Sequence, residues 1–282
     1  MNKQELLNKW AEPQKVLDKG FVRLVDCMGD DSSVVQMARV SYGEGTKSTS
    51  NDRTLIRYLM RHWHTSPFEG CVIKLHMKLP ILAARQMIRH RTSSVNEMSA
   101  RYSVLPDEFY VPDLERISYQ SLDNKQGSGE SFNTTLAKVA ADDLDNYCKA
   151  AYTLYEQFIE QGMARELARS ILPVNIYTEW YWVQNLHNLF HFLRLRLDSH
   201  AQYEIRVYAE AIANICKDWV PASYEAFEDY RLNSVTLSAQ QWKAIQAQLK
   251  SIKEFSDTER KLWFDEAGIE SKRERIELWN LI

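Results

Sequence analysis

The cleanest alternation in the chain lies between positions 71 and 79. Cys71, Ile73, Leu75, Met77 and Leu79 alternate there with Val72, Lys74, His76 and Lys78. A period of two puts the first set on one face and the second on the other, so the segment predicts a strand buried on one side. A second strand is expected over residues 21–28 and a short helix over residues 33–40. Asn51 and Asp52 precede Leu55, Ile56, Leu59, Met60 and Trp63, whose three- and four-residue spacing predicts a capped helix. Pro80 suits the first turn of a helix over residues 81–90. Residues 134–161 predict a long helix stopped by Gly162, and residues 164–172 a second one closed by Pro173. Leu186, Leu189, Phe190, Leu193 and Leu197 mark a further helix with an apolar stripe. Ser199 is placed to cap the next, carried by Ile205, Tyr208, Ile212 and Ile215. The Tyr- and Trp-rich residues 174–183 fit strand or helix, and periodicity does not choose between them. Residues 112–133 are polar, contain Gly127 and Gly129, and read as a surface loop.

The pattern changes after Tyr230, which divides the chain into a body (residues 1–230) and a helical C-terminal extension (residues 231–282). Ser238 with Gln241, and Ser256 with Glu259, have capping-box spacing. Trp242, Ile245, Leu249 and Ile252 fall at three- and four-residue intervals, and Leu262, Trp263, Ile276 and Trp279 add apolar positions further on. Such a stripe buries against something. The extension is therefore expected to rest on the body or on a neighbouring subunit and to stabilise the assembly.

Composition is that of an ordinary soluble globular protein, and the formal net charge of −3 gives no overall field for nucleic acid or an anionic membrane. Any anion site must be local. No apolar run approaches the ~20 residues of a membrane helix, and the N-terminus lacks the apolar core of a signal peptide. Cys27, Cys71, Cys148 and Cys216 show no paired spacing, so a reducing cytoplasm is the plain reading. One segment stands apart. Arg89, His90 and Arg91 are followed by Ser93, Ser94, Asn96, Glu97, Ser99, Arg101 and Ser103, with few apolar residues between. A helix end explains part of that charge, because its dipole favours cations. It does not explain the serines, whereas a nucleotide pocket does, since guanidinium forks fit phosphate and hydroxyls read sugar or base.

Arg-His-Arg with Ser after seven residues is also the signature of the flavin-dependent thymidylate synthases, and the resemblance extends further. It includes Ala84 to Arg91 and Asn96 to Ser103, preceded by Gly20-Phe21-Val22, Ala38-Arg39-Val40-Ser41 and His64-Thr65-Ser66-Pro67-Phe68-Glu69. Ile171-Leu172-Pro173 and the block from Arg196 to Gln202 follow. These blocks stand in the family's order over roughly residues 17–230. The resemblance implies an α+β fold, a small mostly antiparallel sheet flanked by helices, assembled as a homotetramer with sites shared between subunits. It implies reductive methylation of dUMP to dTMP, with 5,10-methylenetetrahydrofolate as carbon donor and FAD, reduced by NADPH, supplying the hydride. His64, Ser66, Arg89, His90, Arg91, Glu97, Asn185, Leu186, His187 and His191 would contact FAD. Gln86, Met87, Ile88, Arg89, Glu97, Met98, Ser99, Ala100, Arg101, Arg169 and Arg196 would contact dUMP, with Glu97, Ser99 and Arg101 coming from the neighbouring subunit. Ala100 stands where the family often has Gly, and the position of His191 varies in the family. Arg196 is the expected catalytic residue, stabilising charge that develops on the uracil ring among apolar neighbours Leu193, Leu195 and Leu197. Ser99 is expected to position dUMP near the reaction and not to attack it.

The rival readings rest on less. His187 and His191 share a helix face and could chelate a metal, but Asn188 stands where the zinc-protease pattern needs Glu, so no metal is expected. No Gly-x-Gly-x-x-Gly follows a strand, which excludes a Rossmann crevice for the flavin. A cysteine-dependent thymidylate synthase would need Cys in a Pro-Cys-His setting, which is absent. A nucleic-acid-binding module using residues 89–101 ranks far behind, given the net charge. Arg194 reads as an outward-facing surface arginine.

Overall fold

The computed structural model describes residues 1–42, 51–122, 125, 127–249 and 255–281. Strands β1 (Gln14–Val16), β2 (Gly20–Met28), β3 (Val72–Pro80), β4 (Ser94–Glu97) and β7 (Tyr177–Asn185) form one antiparallel sheet in the order β1-β2-β3-β7-β4, while β5 (Ser118–Gln120) and β6 (Ser128–Ser131) make a separate hairpin. The alternation in β3 does what a period of two requires. Ile73, Leu75, Met77 and Leu79 are buried, and the other face is partly open. Residues 174–183, ambiguous in sequence, are mostly strand, because aromatic and β-branched side chains suit a pleated surface paired on both sides. In β7, Trp180 stands opposite Met77 and Trp182 opposite Leu75, so both indoles enter the core. On the reverse face Arg23 Nε donates to His76 Nδ1 (3.0 Å), and His76 stacks on Tyr181.

The helices are α1 (Lys3–Trp10), α2 (Asp31–Arg39), α3 (Asp52–Arg61), α4 (Ser66–Glu69), α5 (Ile81–Met87), α6 (Thr134–Glu160), α7 (Arg165–Ala168), α8 (Leu186–Arg196), α9 (Tyr203–Trp219) and α10 (Pro221–Phe227). Asn51 caps α3 as expected, and Gly162 follows α6 with φ +83°, a conformation that suits glycine. Several expectations need correction. The helix after Pro80 ends at Met87, so Arg89, His90 and Arg91 lie in the turns beyond it. Residues 94–97, not anticipated as strand, form the edge strand β4. The helix expected over residues 164–172 is four residues of α7 followed by a 3-10 turn, Arg169–Ile171. Ser199 does not cap α9, which starts after Gln202; its carbonyl instead accepts from Arg206 Nη1 (3.0 Å). The polar loop at residues 112–133 carries the β5–β6 hairpin and a 3-10 turn, Leu114–Arg116.

Two apolar clusters result among the described residues. The larger joins the buried sheet face to α2, α3, α8, α9 and α10. The smaller comprises Ala100, Leu105, Phe109, Cys148, Tyr152, Tyr155, Ala168 and Ile176, in and around α6 and α7. The chain divides into two compact units, Met1–Leu232 and Asn233–Ile282. The second has its own architecture of α11 (Ala239–Gln248), α12 (Asp257–Glu266) and α13 (Lys272–Leu281), with complete capping boxes at Ser238 and Ser256. Phe264 is buried there against Trp263 and Trp279, and Arg260 lies over the Trp279 ring. Ile252 of the expected stripe lies outside the described residues. No helix among the described residues is long and apolar enough to cross a membrane.

Asp31 shows how distant segments are tied. Its carboxylate accepts from the Ala222 and Ser223 amides and from Ser223 Oγ at 2.7, 2.9 and 2.6 Å, thereby capping α10 from a residue 191 positions away. Asp31→Ala strands those donors and should cost about 2 kcal/mol. Urea unfolding measures it, and an unchanged midpoint would show that the cap contributes nothing.

Candidate active site

α5 and α8 leave the sheet from opposite ends of the β3–β7 pair and bring His90 and Arg196 together. Arg196 Nε donates to His90 Nε2 at 3.1 Å. His90 is only 8% exposed, lies edge-on to Phe192 with ring centroids 5.0 Å apart, and has His191 at 6.1 Å. Burial, with the charges of Arg196 and His191, pushes the His90 pKa down to about 4. The imidazole is therefore neutral near pH 7. Since Nε2 accepts, the ring proton sits on Nδ1. Arg196 is half-buried; burial lowers its pKa, but a guanidinium stays charged. Its surroundings are less apolar than the sequence suggested, because Leu195 is 47% exposed and turns away. Nε is committed to His90, and among the described residues no hydrogen bond from either Nη is seen.

A pocket opens beside α8. His64, His187 and His191 line it, as do Trp63, Thr65, Arg194 and Arg231. Burial lowers the pKa of His187, favouring the neutral ring there as well. Ser66 is exposed and its neighbour Thr65 takes the place on the wall. The reading of Arg194 as an outward surface residue needs correction, since it is half-buried on the pocket wall. Trp63 and Arg231 carried no motif. The signal available for Arg231 was its place at the end of the body, next to the composition change. Phe190 and Phe227, stacked at 4.5 Å, complete an aromatic side. Aromatic walls with imidazole and guanidinium donors suit a flat, anionic cofactor such as a flavin nucleotide.

Other candidate residues fall into three settings. Met87 and Leu186 are fully buried in the main core and Ala100 is buried in the smaller cluster, so only their backbones are available to a ligand. Asn185 caps α8, its Oδ1 accepting from the Asn188 amide at 2.9 Å. Gln86 donates to the Gln202 side chain, while Ile88, Arg89 and Arg91 are exposed in the turns after α5. The third group sits on the smaller cluster. Met98 extends the β4 ladder by donating to Glu179 O, and Glu97 accepts from Thr178 Oγ1 at 2.7 Å. Ser99 Oγ accepts from the Arg101 amide at 3.3 Å, and Arg101 faces Glu166 of α7 at 3.6 Å. Arg169 follows α7, exposed. Among the described residues, no hydrogen bond or ion pair links Ser99, Arg101 or Arg169 to His90 or Arg196. The expected nucleotide ligands thus form two groups in one chain.

All four cysteines are free and buried. Burial raises each thiol, Cys71 to about 12, so none is a ready nucleophile.

Residues 23–222 match the family model described as thymidylate synthase complementing protein. A flavin-dependent thymidylate synthase of Wolbachia pipientis is 60% identical over 227 residues, 80% of each chain, and one from Ruegeria pomeroyi is 60% identical over 229 residues, 80% of this chain and 76% of the other. The UMP/dUMP methylase PolB from Streptomyces cacaoi, solved with 5-Br dUMP, superposes with a TM-score of 0.70 at 33% identity, covering 79% of this chain and all of that one. Together these similarities define a flavin-using methyltransferase. The chain belongs to the flavin-dependent thymidylate synthases. The similarity also reaches past the expected boundary. A Rickettsia prowazekii relative, 52% identical over 260 residues, covers 88% of this chain, more than Met1–Leu232 can supply.

His90 makes stability pH-dependent in a definite direction. The unfolded ring takes up its proton near 6.5 and the folded one near 4, so unfolding binds a proton between those values. Stability should fall as pH drops from about 6.5 to about 4, with the loss complete below that. His90→Gln should remove this part of the acid slope. A wild-type-to-variant difference in urea midpoint that stays constant from pH 7 to pH 4.5 would contradict a buried neutral His90.

Proposed function

We propose that this chain converts dUMP to dTMP, taking the carbon from 5,10-methylenetetrahydrofolate and using FAD reduced by NADPH. The observation that carries the reading is the half-buried Arg196 held through Nε by a neutral His90. Bound in the pocket beside α8, the flavin would supply the hydride. The protein's own part is to bind, orient and stabilise. Arg196 directs its Nη donors at the pyrimidine edge, where negative charge builds as C5 becomes nucleophilic, and so lowers the barrier without a covalent enzyme adduct. His90 stays neutral, so it accepts from Arg196 instead of competing with it for the anion. His64, His187 and His191 line the flavin, and the exposed Arg89 and Arg91 reach its phosphates or that of dUMP. PolB, solved with a brominated dUMP, supports a uridylate substrate.

The two groups of expected ligands support a homotetramer whose sites are completed by neighbouring copies. Glu97, Ser99, Arg101 and Arg169 of one copy would then meet Arg196 of another. Ser99 positions the nucleotide. The C-terminal unit carries no motif of the site and acts in assembly.

Arg196→Ala should leave the flavin spectrum and the fold intact but reduce dTMP formation by about 100-fold or more, the scale of about 3 kcal/mol lost from charge stabilisation. Near-normal turnover would assign the pyrimidine to another group. Replacing all four cysteines by Ala or Ser should spare activity apart from packing losses. If activity depended on one thiol, the cysteine-dependent mechanism would hold instead. Purified protein that is colourless and takes up no added FAD would refute the flavin assignment.

A further inference from the structure

A line of side-chain hydrogen bonds joins the start of α9 to the last turn of α5. Gln86 Nε2 donates to Gln202 Oε1, Gln202 Nε2 to Glu204 Oε2 at 2.7 Å, and Tyr110 Oη to Glu204 Oε1 at 3.0 Å. The Tyr110 end is firmly held. That residue is 4% exposed, its amide donates to Asn175 O (2.8 Å), and its carbonyl accepts from Asn175 Nδ2 (2.9 Å). Burial and the Glu204 carboxylate raise the Tyr110 pKa, so the hydroxyl keeps its proton and donates. Glu204 has an ordinary explanation, since a carboxylate in the first turn of a helix suits the dipole. That explanation asks only that it face water, yet each of its oxygens meets a donor from a different residue. Gln202 is the N-cap of α9, but its side chain caps nothing and bridges Glu204 and Gln86 instead.

The direction of the line follows from the carboxylate. It can only accept, so Gln202 turns Nε2 toward Glu204 and Oε1 toward Gln86. Gln86 must then donate through its own Nε2. Its Oε1 and second N–H make no other hydrogen bond among the described residues. A carboxamide otherwise free to flip is thus given one sense, three residues before Arg89.

We propose that Glu204, acting through Gln202, is a positioning residue that sets the sense of the Gln86 carboxamide toward dUMP. The proposal rests on the reading of Gln86 as a dUMP contact. An amide ordered before the nucleotide arrives binds it more tightly than one that must be ordered on contact. Calorimetry of dUMP binding to the FAD-loaded enzyme tests it, with Gln86→Ala, Gln202→Ala, Glu204→Gln and the Gln86→Ala/Glu204→Gln double variant. Glu204→Gln keeps the shape but has one oxygen. Given to Tyr110, that oxygen leaves a donor facing Gln202 and turns both amides over. The substitution should weaken dUMP by about fivefold, the scale of one hydrogen bond, and raise the KM for dUMP with kcat within about twofold. Gln202→Ala should do the same, and its exposed position keeps the test open should Glu204→Gln fail to fold. In the Gln86→Ala background the Glu204 substitution should add nothing, whereas a merely structural carboxylate would weaken binding equally in both backgrounds. Equal losses would overturn the proposal, as would dUMP affinities unchanged in Glu204→Gln and Gln202→Ala. Gln86→Ala with unchanged affinity would overturn the contact and the positioning together, yet leave the flavin chemistry standing. Wild-type holoenzyme that bound no dUMP would instead overturn the functional reading.

Discussion

The antiparallel pairing of β3 with β7 is the constraint on which the rest depends. Nine residues of each strand are in register, Val72 opposite Asn185 through Pro80 opposite Tyr177. At about 3.4 Å per residue the pair spans about 27 Å. Because the strands run in opposite directions, α5 leaves at one end and α8 at the other. α8 then returns over the sheet, about 15 Å at helical rise, with Phe192 reaching the Trp182 ring. That return brings Arg196 to His90, beyond the short α5. A slip of one residue between the strands would turn Trp180 and Trp182 outward and remove the floor beneath this meeting point.

The meeting point has an energetic logic. Desolvating an imidazole beside a guanidinium disfavours its protonation, and what remains is a neutral acceptor for Nε–H. The arginine keeps its charge and loses orientational freedom. In a half-buried setting its field is screened less than at the surface, which is where a cation can respond to charge developing on a bound ring. Local rules thus conflict near the site: a buried histidine beside a cation and a left-handed tryptophan both cost stability. Such conflicts are expected where binding, not folding, sets the residue.

Much of the fold was legible because its period was unambiguous. β3, α6 and α8 follow directly from spacing, and Asn51 and Gly162 mark helix ends by side-chain chemistry. What was not legible depended on partners distant in the chain. β4 is four residues with a single apolar position, Val95, too short a pattern to read as strand until β7 offers an edge, and residues 174–183 could not be assigned without β3. The helix after Pro80 was overextended because the motif's cations suit a helix end, whereas the backbone turns after Met87. For the candidate site, the motif singled out residues 89–101 and 196 but not their arrangement. The Arg196–His90 bond joins residues 106 positions apart. Arg194 looked like surface because a helix pattern does not reveal a neighbouring pocket, and Trp63 looked like core because it continues the apolar stripe of α3.

The most direct test of the arrangement is the protonation state of His90 itself, read by nitrogen NMR of the ring in protein labelled at histidine. A neutral Nδ1–H tautomer with Nε2 as acceptor, persisting from neutral pH down to about 4, is the expected result. An imidazolium at pH 6, or a neutral ring with its proton on Nε2, would contradict it, because neither could accept the hydrogen bond that fixes the Arg196 guanidinium.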